Sequence, residues 1–198
     1  GSSEKAEKEF MMQYPSIFNH ILQYKEPLSK RNKEETGIRY EWYALQRCAA
    51  TYYPEFEKEK VVWQELAQGA QFAFDGKGEF FVSNTAYILT GNNLKYILGY
   101  LNSNFNEFTY EKWYCTKLGG KGIRWLNQHV IELHIPPITS YTQPIVSQIE
   151  SLVDAIISAK KDNSAADTSA LEQQIDRLVY RLYDLTEEEI KIVENQNG

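Results

Sequence analysis

The sequence contains only two cysteines, Cys48 and Cys115, and they lie far apart along the chain. Two isolated cysteines provide neither a disulfide framework nor the spacing of a metal site, so we expect reduced thiols and a cytoplasmic location. Apolar runs of about 18 residues, the length that a membrane helix needs, are missing as well. The sequence therefore predicts neither a membrane span nor a membrane partner.

Recognisable catalytic patterns are missing too. No G-x-G-x-x-G motif follows a predicted strand, so a dinucleotide cradle is not expected. The isolated histidines His20, His129 and His134 fit packing or surface roles better than metal ligation. Asp75 and Glu79 bracket a turn, which leaves no acidic pair followed by a lysine at nuclease spacing. We therefore predict no metal site and no catalytic activity in this chain alone.

Positive charge is also in short supply, since the formal net charge of the 198 residues is -6. Phosphate-binding proteins usually show a basic face, so this balance argues against nucleic acid as a partner. The distribution weakens that argument, because residues 150–198 carry 11 acidic and 5 basic side chains and so account for the whole excess. Between Lys112 and Arg124 the chain has only basic charges, which favours a local DNA-binding patch.

Residues 60–104 carry the clearest structural pattern. Three apolar runs, 61–66, 70–74 and 79–89, predict strands of a small antiparallel sheet. The sequence DGKG at 75–78 predicts the turn between the second and third runs, with two glycines supplying positive φ. A helix is predicted next, because apolar residues recur at spacings of three and four: Leu94, Ile97, Leu98, Leu101 and Phe105.

Helices are predicted on both sides of this sheet. Pro15 opens an early helix that Pro27 should kink or end. The alternating run 130–135 predicts a closing strand before Pro136 and Pro137. In the last third, two apolar stripes joined by a polar loop predict a helical hairpin. Capping-box matches open its second helix and a short final helix: Ser169 with Glu172, and Thr186 with Glu189.

These patterns predict an α+β fold, in which a small antiparallel β-sheet domain with flanking helices is followed by a C-terminal helical hairpin. We divide the chain into an N-terminal helix and loop (1–37), a β-rich domain (38–138) and a C-terminal helical segment (139–198). The charged opening segment EKAEKEF has no signal-peptide pattern, and we expect the chain to be a piece of a longer protein.

Several short motifs follow one another in a characteristic order. They are YPSI at 14–17, WYAL at 42–45, KVVW at 60–63, NT at 84–85, LNS at 101–103 and IDRLVYRLYDLTEEEI at 175–190. With these motifs the chain resembles the TaqI-like C-terminal specificity domain, a target-recognition domain of adenine-specific DNA methyltransferases and fused type II restriction-modification enzymes. Specificity subunits of type I systems are similar.

The resemblance implies a module that binds double-stranded DNA and positions it for adenine methylation by other domains of a parent enzyme. Whether the parent also cleaves DNA stays open. S-adenosylmethionine, and Mg²⁺ in a parent that cleaves, would then belong to other domains, the methyltransferase domain being the expected partner. The sequence agrees, because Pro136-Pro137 lacks both the Asn or Asp before it and the aromatic after it that the methyltransferase motif requires.

The candidate DNA contacts fall into two groups. The main candidates are basic: Arg47, Lys60, Lys117, Lys121 and Arg124. The secondary candidates are aromatic: Trp42, Tyr43 and Tyr110. Lysine offers a point charge for phosphates, whereas arginine can bridge O6 and N7 of guanine with two parallel bonds.

Structural roles compete with DNA contact at several of these positions. Lys60 could be a surface lysine at a strand start, and Trp42 and Tyr43 could pack under the sheet. The abundant aromatic residues, 14 Tyr, 9 Phe and 4 Trp, fit either a core or a binding surface. We expect the motif residues Asn84, Asn102 and Ser103 to order turns or cap elements.

Two functions of different classes remain open. The first is DNA target recognition, which the motifs and the basic stretch at 112–124 favour. The second is a non-catalytic protein-interaction module that docks a partner through the acidic C-terminal hairpin, which the net charge favours. A steep salt dependence of duplex binding would distinguish the first from the second.

Overall fold

Residues 2–31, 41–45, 51–114 and 122–195 are described by a computed structural model. The chain divides into two units, residues 1–52 and residues 53–198. This division differs from the three predicted segments. The sheet and the C-terminal helices lie in the same unit, because they share one hydrophobic core.

The first unit begins with three helices: α1 (Ser2–Gln13), α2 (Pro15–Leu22) and α3 (Lys25–Lys30). Pro15 occupies the start of α2, as predicted. Pro27 lies inside the first turn of α3, and the helical chain breaks just before it, at Gln23 and Tyr24. Proline has no N–H to donate to the carbonyl four residues earlier, which explains a break at Gln23.

The second unit begins with a 3-10 helix (Tyr53–Glu57), and its described residues contain five strands. They are β1 (Lys60–Gln64), β2 (Leu66–Gln68), β3 (Phe72–Asp75), β4 (Ala86–Leu89) and β5 (Gly122–Arg124). The order β3-β1-β4 forms an antiparallel three-stranded sheet, and β2 with β5 forms an antiparallel two-stranded ribbon. The prediction of a small antiparallel sheet is confirmed, and the separate ribbon was not predicted.

Two of the predicted strands have different boundaries. The run 61–66 does not form one strand, because Glu65 separates β1 from β2. Its N–H donates to the Thr85 carbonyl beside β4, and its carbonyl accepts from the Trp125 N–H beside β5. The chain therefore passes from the sheet to the ribbon at this residue. Only the end of the run 79–89 is strand, as β4.

The turn at 75–78 is confirmed, and its chemistry depends on Asp75. Oδ1 of this carboxylate accepts hydrogen bonds from the backbone N–H groups of Lys77, Gly78 and Glu79. Of the two glycines in the turn, only Gly78 has positive φ, at 68°. A Cβ at Gly78 would lie 2.3 Å from the Glu57 carbonyl oxygen, so both the φ and the space require glycine.

Six helices complete the described part of the second unit. They are α4 (Leu94–Leu101), α5 (Asn104–Trp113), α6 (Asn127–Val130), α7 (Gln143–Asp162), α8 (Ser169–Leu182) and α9 (Glu187–Asn195). None of the helices in the described ranges is long and apolar enough to cross a membrane. The α+β class and the C-terminal hairpin, α7 with α8, are confirmed.

The predicted closing strand at 130–135 is wrong. Val130 ends α6, and helical-turn hydrogen bonds continue from Ile131 to Asn127 and from Glu132 to His129. Val130 is buried, and Leu133 packs partly against the core. Ile135 also packs partly against the core, whereas Ile131 is 70% exposed. The segment thus buries most of its apolar side chains from a helical turn and the chain after it, without a strand partner.

One of the two predicted capping boxes is present. Thr186 Oγ1 accepts from the Glu189 N–H at 3.3 Å, and the Glu189 carboxylate accepts from the Thr186 N–H at 2.8 Å. The other prediction is wrong, because the cap of α8 is Thr168 rather than Ser169. Thr168 donates to the Glu172 carboxylate at 2.6 Å.

Helix α4 lies at the centre of the second unit, between the sheet and the hairpin. It contacts β1 and β3 on one side, and α7 and α8 on the other. Gly99 marks the crossing with α7, since a Cβ there would lie 2.6 Å from Cγ2 of Ile149. The predicted apolar stripes of the hairpin therefore face the sheet domain's own core and are not free for a partner.

Candidate nucleic-acid interface

The β2–β5 ribbon has one buried face and one exposed face. Ala67 pairs with Ile123, which is 1% exposed and faces the core. Leu66 pairs with Arg124 on the opposite face, and both side chains are exposed, as is Gln68. Alternate residues of a strand point to opposite faces, so Leu66, Gln68 and Arg124 form a common outer surface. We call this surface the ribbon face.

Arg124 is held on the ribbon face by Glu65. Its Nε and Nη2 atoms lie 2.7 Å and 2.6 Å from Oε1 of Glu65. Oε2 of Glu65 accepts a hydrogen bond from the Tyr87 hydroxyl at 3.1 Å. The bonds from Arg124 and Tyr87 hold the pKa of Glu65 below its ordinary value. The carboxylate is therefore ionised at neutral pH and fixes one edge of the guanidinium group.

Tyr110, a predicted DNA contact, supports Arg124 from inside the protein. The residue is 0% exposed, so the prediction of direct contact is wrong. Its hydroxyl donates to the Arg124 carbonyl at 2.9 Å and accepts from the Leu126 N–H at 3.0 Å. Its ring stacks on Trp125 with centroids 4.1 Å apart. Tyr110 thus positions the backbone of β5.

Two tryptophans hold the ribbon against the rest of the unit. Trp63 Nε1 donates to the Trp125 carbonyl at 3.1 Å, and Trp125 Nε1 donates to the Gly69 carbonyl at 3.0 Å. Both indole rings are buried. Buried Trp N–H groups normally have a partner, and here the partners are backbone atoms at both ends of the ribbon. The ribbon is therefore a rigid support for its outer face.

Lys60, another predicted DNA contact, lies inside the protein. Its ammonium group is 0% exposed and donates to Asp75 Oδ2 at 2.5 Å and to the Phe56 carbonyl at 2.6 Å. A buried, paired ammonium cannot reach a phosphate, so this prediction is corrected. Burial alone would raise the pKa of Asp75, but the Lys60 bond and the backbone N–H groups of the turn outweigh burial and lower it.

Trp42 and Tyr43 pack within the first unit. Trp42 is 7% exposed, its Nε1 donates to Glu7 of α1 at 2.9 Å, and its ring lies 5.7 Å from that of Phe18. Tyr43 stacks on Phe10 with centroids 5.6 Å apart. These ring partners belong to α1 and α2, so both aromatics take part in the packing of the first unit. Because Trp42 is buried there, its predicted contact with DNA is wrong.

Three of the basic candidates lie outside the described residues: Arg47, Lys117 and Lys121. The described residues next to segment 115–121 are Tyr114 at the end of α5 and Gly122 at the start of β5. Trp113 is 72% exposed, and the Lys112 ammonium lies 5.6 Å from the ring centroid of Phe108. An exposed aromatic and a lysine thus precede the segment, and the ribbon face follows it.

Sequence reasoning missed Glu65 and Tyr87. They lie 59 and 37 positions before Arg124, close to the motifs KVVW and NT, and neither occurs in a run of charged residues. The one available signal was a charged residue inside an apolar run, because Glu65 interrupts the otherwise favourable strand pattern at 61–66. A polar residue in such a run indicates a strand boundary or a buried partner.

The motif residues are structural, as expected. Asn102 accepts from the Phe72 N–H and donates to the Phe72 carbonyl, both at 2.9 Å, so its amide continues the hydrogen bonding of β3. Ser103 caps α5 by accepting from the Asn106 N–H at 3.2 Å. Asn84 lies in the turn that precedes β4. The LNS motif therefore joins α4, α5 and the sheet edge.

The outer side of the helical hairpin forms a second polar surface. A groove of about 630 Å³ between α7 and α8 contains Arg177 and Arg181, one turn apart. Small and amide side chains line it beside them: Ser147, Gln148, Ser151 and Gln174. In the described part of the chain, neither arginine forms an ion pair. We call this surface the hairpin groove.

Metal-ligand geometry does not occur in the described ranges. No group of three or more His, Cys, Asp or Glu side chains is placed there to hold a metal ion. The polar clusters that do occur, around Glu65 and around Asp75, are satisfied by arginine, lysine and backbone donors. Their chemistry is that of ion pairs and turns.

A comparison with family models matches residues 13–143 to the TaqI-like C-terminal specificity domain. The chain belongs to this family. The matched part of the specificity domain includes the whole sheet, the ribbon face, Glu65 and Tyr87. It ends at the first residue of α7, so the hairpin and α9 follow the matched range.

The specificity domain is also similar to a curated protein, type II methyltransferase M.MjaIV of Methanocaldococcus jannaschii. The two are 25% identical over 180 residues, which cover 88% of this chain and 57% of the relative. The chain therefore spans a little over half of the length of that methyltransferase.

Proposed function

We propose that this chain recognises the DNA target of a restriction-modification enzyme and positions the duplex for adenine methylation by other domains of its parent protein. Family membership and the similarity to a type II methyltransferase support this proposal. The structural observation that carries it is the ribbon face, which exposes Leu66, Gln68 and Arg124 on a rigid two-stranded support.

The dimensions of the ribbon suit a DNA groove. Paired strands lie about 4.8 Å apart, and the major groove of B-DNA, about 12 Å wide, admits a two-stranded β-ribbon. Base edges in that groove are read by hydrogen bonds and by apolar contacts. Arg124 and Gln68 can supply the hydrogen bonds, and Leu66 can supply an apolar contact to a thymine methyl group.

The basic stretch next to the ribbon would contact phosphates. Lys112 is exposed, and Lys117 and Lys121 follow it in sequence before β5 begins. Lysines of this kind release counterions when they neutralise phosphates, with a slope of about -0.9 per contact in log affinity against log salt. Residues 1–149 are formally neutral, because the acidic excess lies at 150–198. The basic stretch therefore belongs to a part of the sequence that has no acidic excess of its own.

Catalysis would belong to the rest of the parent protein. Enzymes that act on a base flip it out of the duplex into their own pocket. The methyltransferase domain would supply that pocket and S-adenosylmethionine, and a parent that also cleaves DNA would supply Mg²⁺ elsewhere. This chain would contribute the choice of site, as a non-catalytic part of a cytoplasmic enzyme.

Selection from a randomised duplex library at low salt tests the proposal. The purified chain should enrich a short motif, and its affinity should fall steeply with salt. The double variant Lys117→Ala with Lys121→Ala should make the slope of log affinity against log salt shallower, by about the amount expected for two phosphate contacts. The double variant Lys160→Ala with Lys161→Ala, at the C-terminal end of α7, is the matched control and should leave this slope unchanged. Absence of duplex binding by this chain and by its longer parent at low salt would refute the proposal.

A protein-docking function of the hairpin is the second candidate, and the hairpin groove is the observation that favours it. The inner stripes of α7 and α8 are buried in the core, so a partner would have to use the outer groove. That groove contains Arg177 and Arg181, which form no ion pair with other described residues, in a segment whose net charge is negative. A docked partner would therefore present carboxylates. Arg177→Glu with Arg181→Glu should abolish such docking and leave duplex binding intact.

A further inference from the structure

We propose that Arg124 reads a guanine in the recognised DNA sequence, and that Glu65 and Tyr87 are positioning residues that set its direction. This inference rests on the proposed DNA-recognition function. The two edges of the Arg124 guanidinium group are used unequally in the structure.

The ion pair occupies one edge of the guanidinium group. Nε and Nη2 of Arg124 both donate to Oε1 of Glu65, at 2.7 Å and 2.6 Å. A guanidinium group has five N–H donors in a planar fork. The edge made by Nη1 and the second N–H of Nη2 therefore remains for another ligand. Half of the Arg124 side chain, 49%, is exposed, compared with 19% of the Glu65 side chain, so the arginine is the solvent-facing member of the pair.

Glu65 is itself held at three points. Its N–H donates to Thr85, its carbonyl accepts from Trp125, and its carboxylate accepts from Tyr87. Tyr87 is fixed in β4, opposite Trp63, with the two ring centroids 5.4 Å apart. The carboxylate thus has little freedom to move. Because planar recognition requires orientation as well as charge, a fixed carboxylate gives the arginine a defined reading plane.

The ion pair with Glu65 also makes a base a more favourable ligand of Arg124 than a phosphate. A phosphate placed on the free edge would lie close to the ionised Glu65, and the repulsion would offset the attraction of the arginine. A guanine presents O6 and N7, which are neutral acceptors and are spaced for the two parallel N–H bonds of arginine. The pair Arg124–Glu65 therefore suits guanine better than phosphate, whereas an exposed lysine such as Lys112 offers a point charge that suits phosphate.

Base-resolved binding measurements test this inference. Wild-type protein and variants would be titrated with the selected duplex and with duplexes changed one base pair at a time. Arg124→Lys should lose about tenfold to a hundredfold of discrimination at one G·C pair, because a lysine cannot make the two parallel bonds. Glu65→Gln and Tyr87→Phe should lose discrimination at that same pair, Tyr87→Phe less than Glu65→Gln.

Changes at the other positions distinguish orientation from general damage. Discrimination at the other base pairs of the site should stay as in wild type. Affinity for unrelated duplexes should also stay as in wild type, except that Glu65→Gln should raise it slightly because this variant removes a negative charge. Lys112→Ala is the matched control, and it should weaken all duplexes about equally. Urea midpoints of every variant establish that the chain is folded.

A chemical change in the DNA provides a test that cannot unfold the protein. Replacing the critical guanine by 7-deazaguanine removes the N7 acceptor and should lower the affinity of wild type. It should have no further effect on Arg124→Ala, because the reading contact is already lost.

The possible outcomes distinguish failure of guanine reading by Arg124 from failure of the proposed DNA-recognition function. If wild type selects no motif, the proposed recognition function fails and the inference with it. If wild type selects a motif but Arg124→Lys and 7-deazaguanine leave every base preference unchanged, recognition stands and guanine reading by Arg124 is refuted. If Glu65→Gln and Tyr87→Phe keep full discrimination at the guanine, the positioning role is refuted.

Discussion

The ammonium group of Lys60 donates a 2.5 Å hydrogen bond to Oδ2 of Asp75, and neither residue exposes more than 3% of its surface. The pair joins the start of β1 to the end of β3. It also closes the turn at 75–78, because the same carboxylate accepts from four backbone N–H groups. A charged pair thus fixes the corner of the sheet.

Removing either partner of this pair should destabilise the fold, by about 3–5 kcal/mol, since an unpaired buried charge remains. We expect Asp75→Ala to cost more than Lys60→Met. Without Lys60, Asp75 still accepts from the turn, whereas without Asp75 the ammonium keeps only carbonyl partners and the turn loses its acceptor. Urea denaturation gives the free energies. Lys58→Met, at an exposed ion pair, is the control and should change stability little; equal effects of the three variants would contradict the expectation.

The pH dependence of stability should contain two opposite contributions. The lowered pKa of Asp75 means that its contribution is present at neutral pH and is lost as the pH falls below the ordinary range of aspartate. Burial raises the pKa of Asp176 to about 6, although the N–H of Asn104 opposes the shift. Its folded form therefore binds the proton more tightly than the unfolded form, and stability falls as the pH rises from about 4 to about 6.

Asp176→Asn should remove the second contribution. The variant should be more stable than wild type at pH 7, by up to about 2 kcal/mol, and less dependent on pH between about 4 and 6. An asparagine can still accept from the Asn104 N–H, which Asp176 does at 2.8 Å. Asp176 also accepts from Asn104 Nδ2 at 2.9 Å, and this bond is kept in the opposite direction if the Asn104 amide turns over. Urea unfolding at several pH values measures the effect, with Asp162→Asn at an exposed site as the control. An unchanged slope between pH 4 and 6 would refute the assignment.

Tyr110→Phe should weaken the ribbon without disturbing its packing. The variant keeps the ring that stacks on Trp125 but leaves the Arg124 carbonyl and the Leu126 N–H without the hydroxyl. Removing one partner of buried hydrogen bonds costs about 1–3 kcal/mol, so a loss of that size is expected in urea unfolding. Tyr141→Phe, where the tyrosine is 79% exposed, should have no effect.

Gly99→Ala should destabilise the contact of α4 with α7, although alanine favours helix by up to about 1 kcal/mol. The new Cβ would lie 2.6 Å from Cγ2 of Ile149 and 3.2 Å from Cγ2 of Val153. Overpacking of this kind costs about 1–3 kcal/mol, because branched side chains in a helix have little freedom to move. Ile149→Ala removes the nearest atom, so the double variant should lose less stability than the two single losses added together. Simple additivity would contradict the steric explanation.

Helix periods, the turn at 75–78, the cap at Thr186 and the family order of motifs were readable from sequence, because each depends on residues close together in the chain. The predicted strand at 130–135 was wrong because alternation identifies a strand only if an unpaired edge is available. The predicted DNA contacts of Lys60 and Tyr110 were also wrong. From sequence alone, a lysine at a strand start and a tyrosine beside a basic stretch are expected to be exposed, and only the packing of their neighbours shows that they are buried.

The sequence by itself determined the α+β class, the helical hairpin and membership of the specificity-domain family, since local periodicity and ordered motifs suffice for these. Only the tertiary structure decided which charged residues are inside and which face outward. Asp75 lies 15 positions from Lys60, and Glu65 lies 59 positions from Arg124. Such pairs form when strands align in register, and the register is selected because it buries the apolar face of each strand.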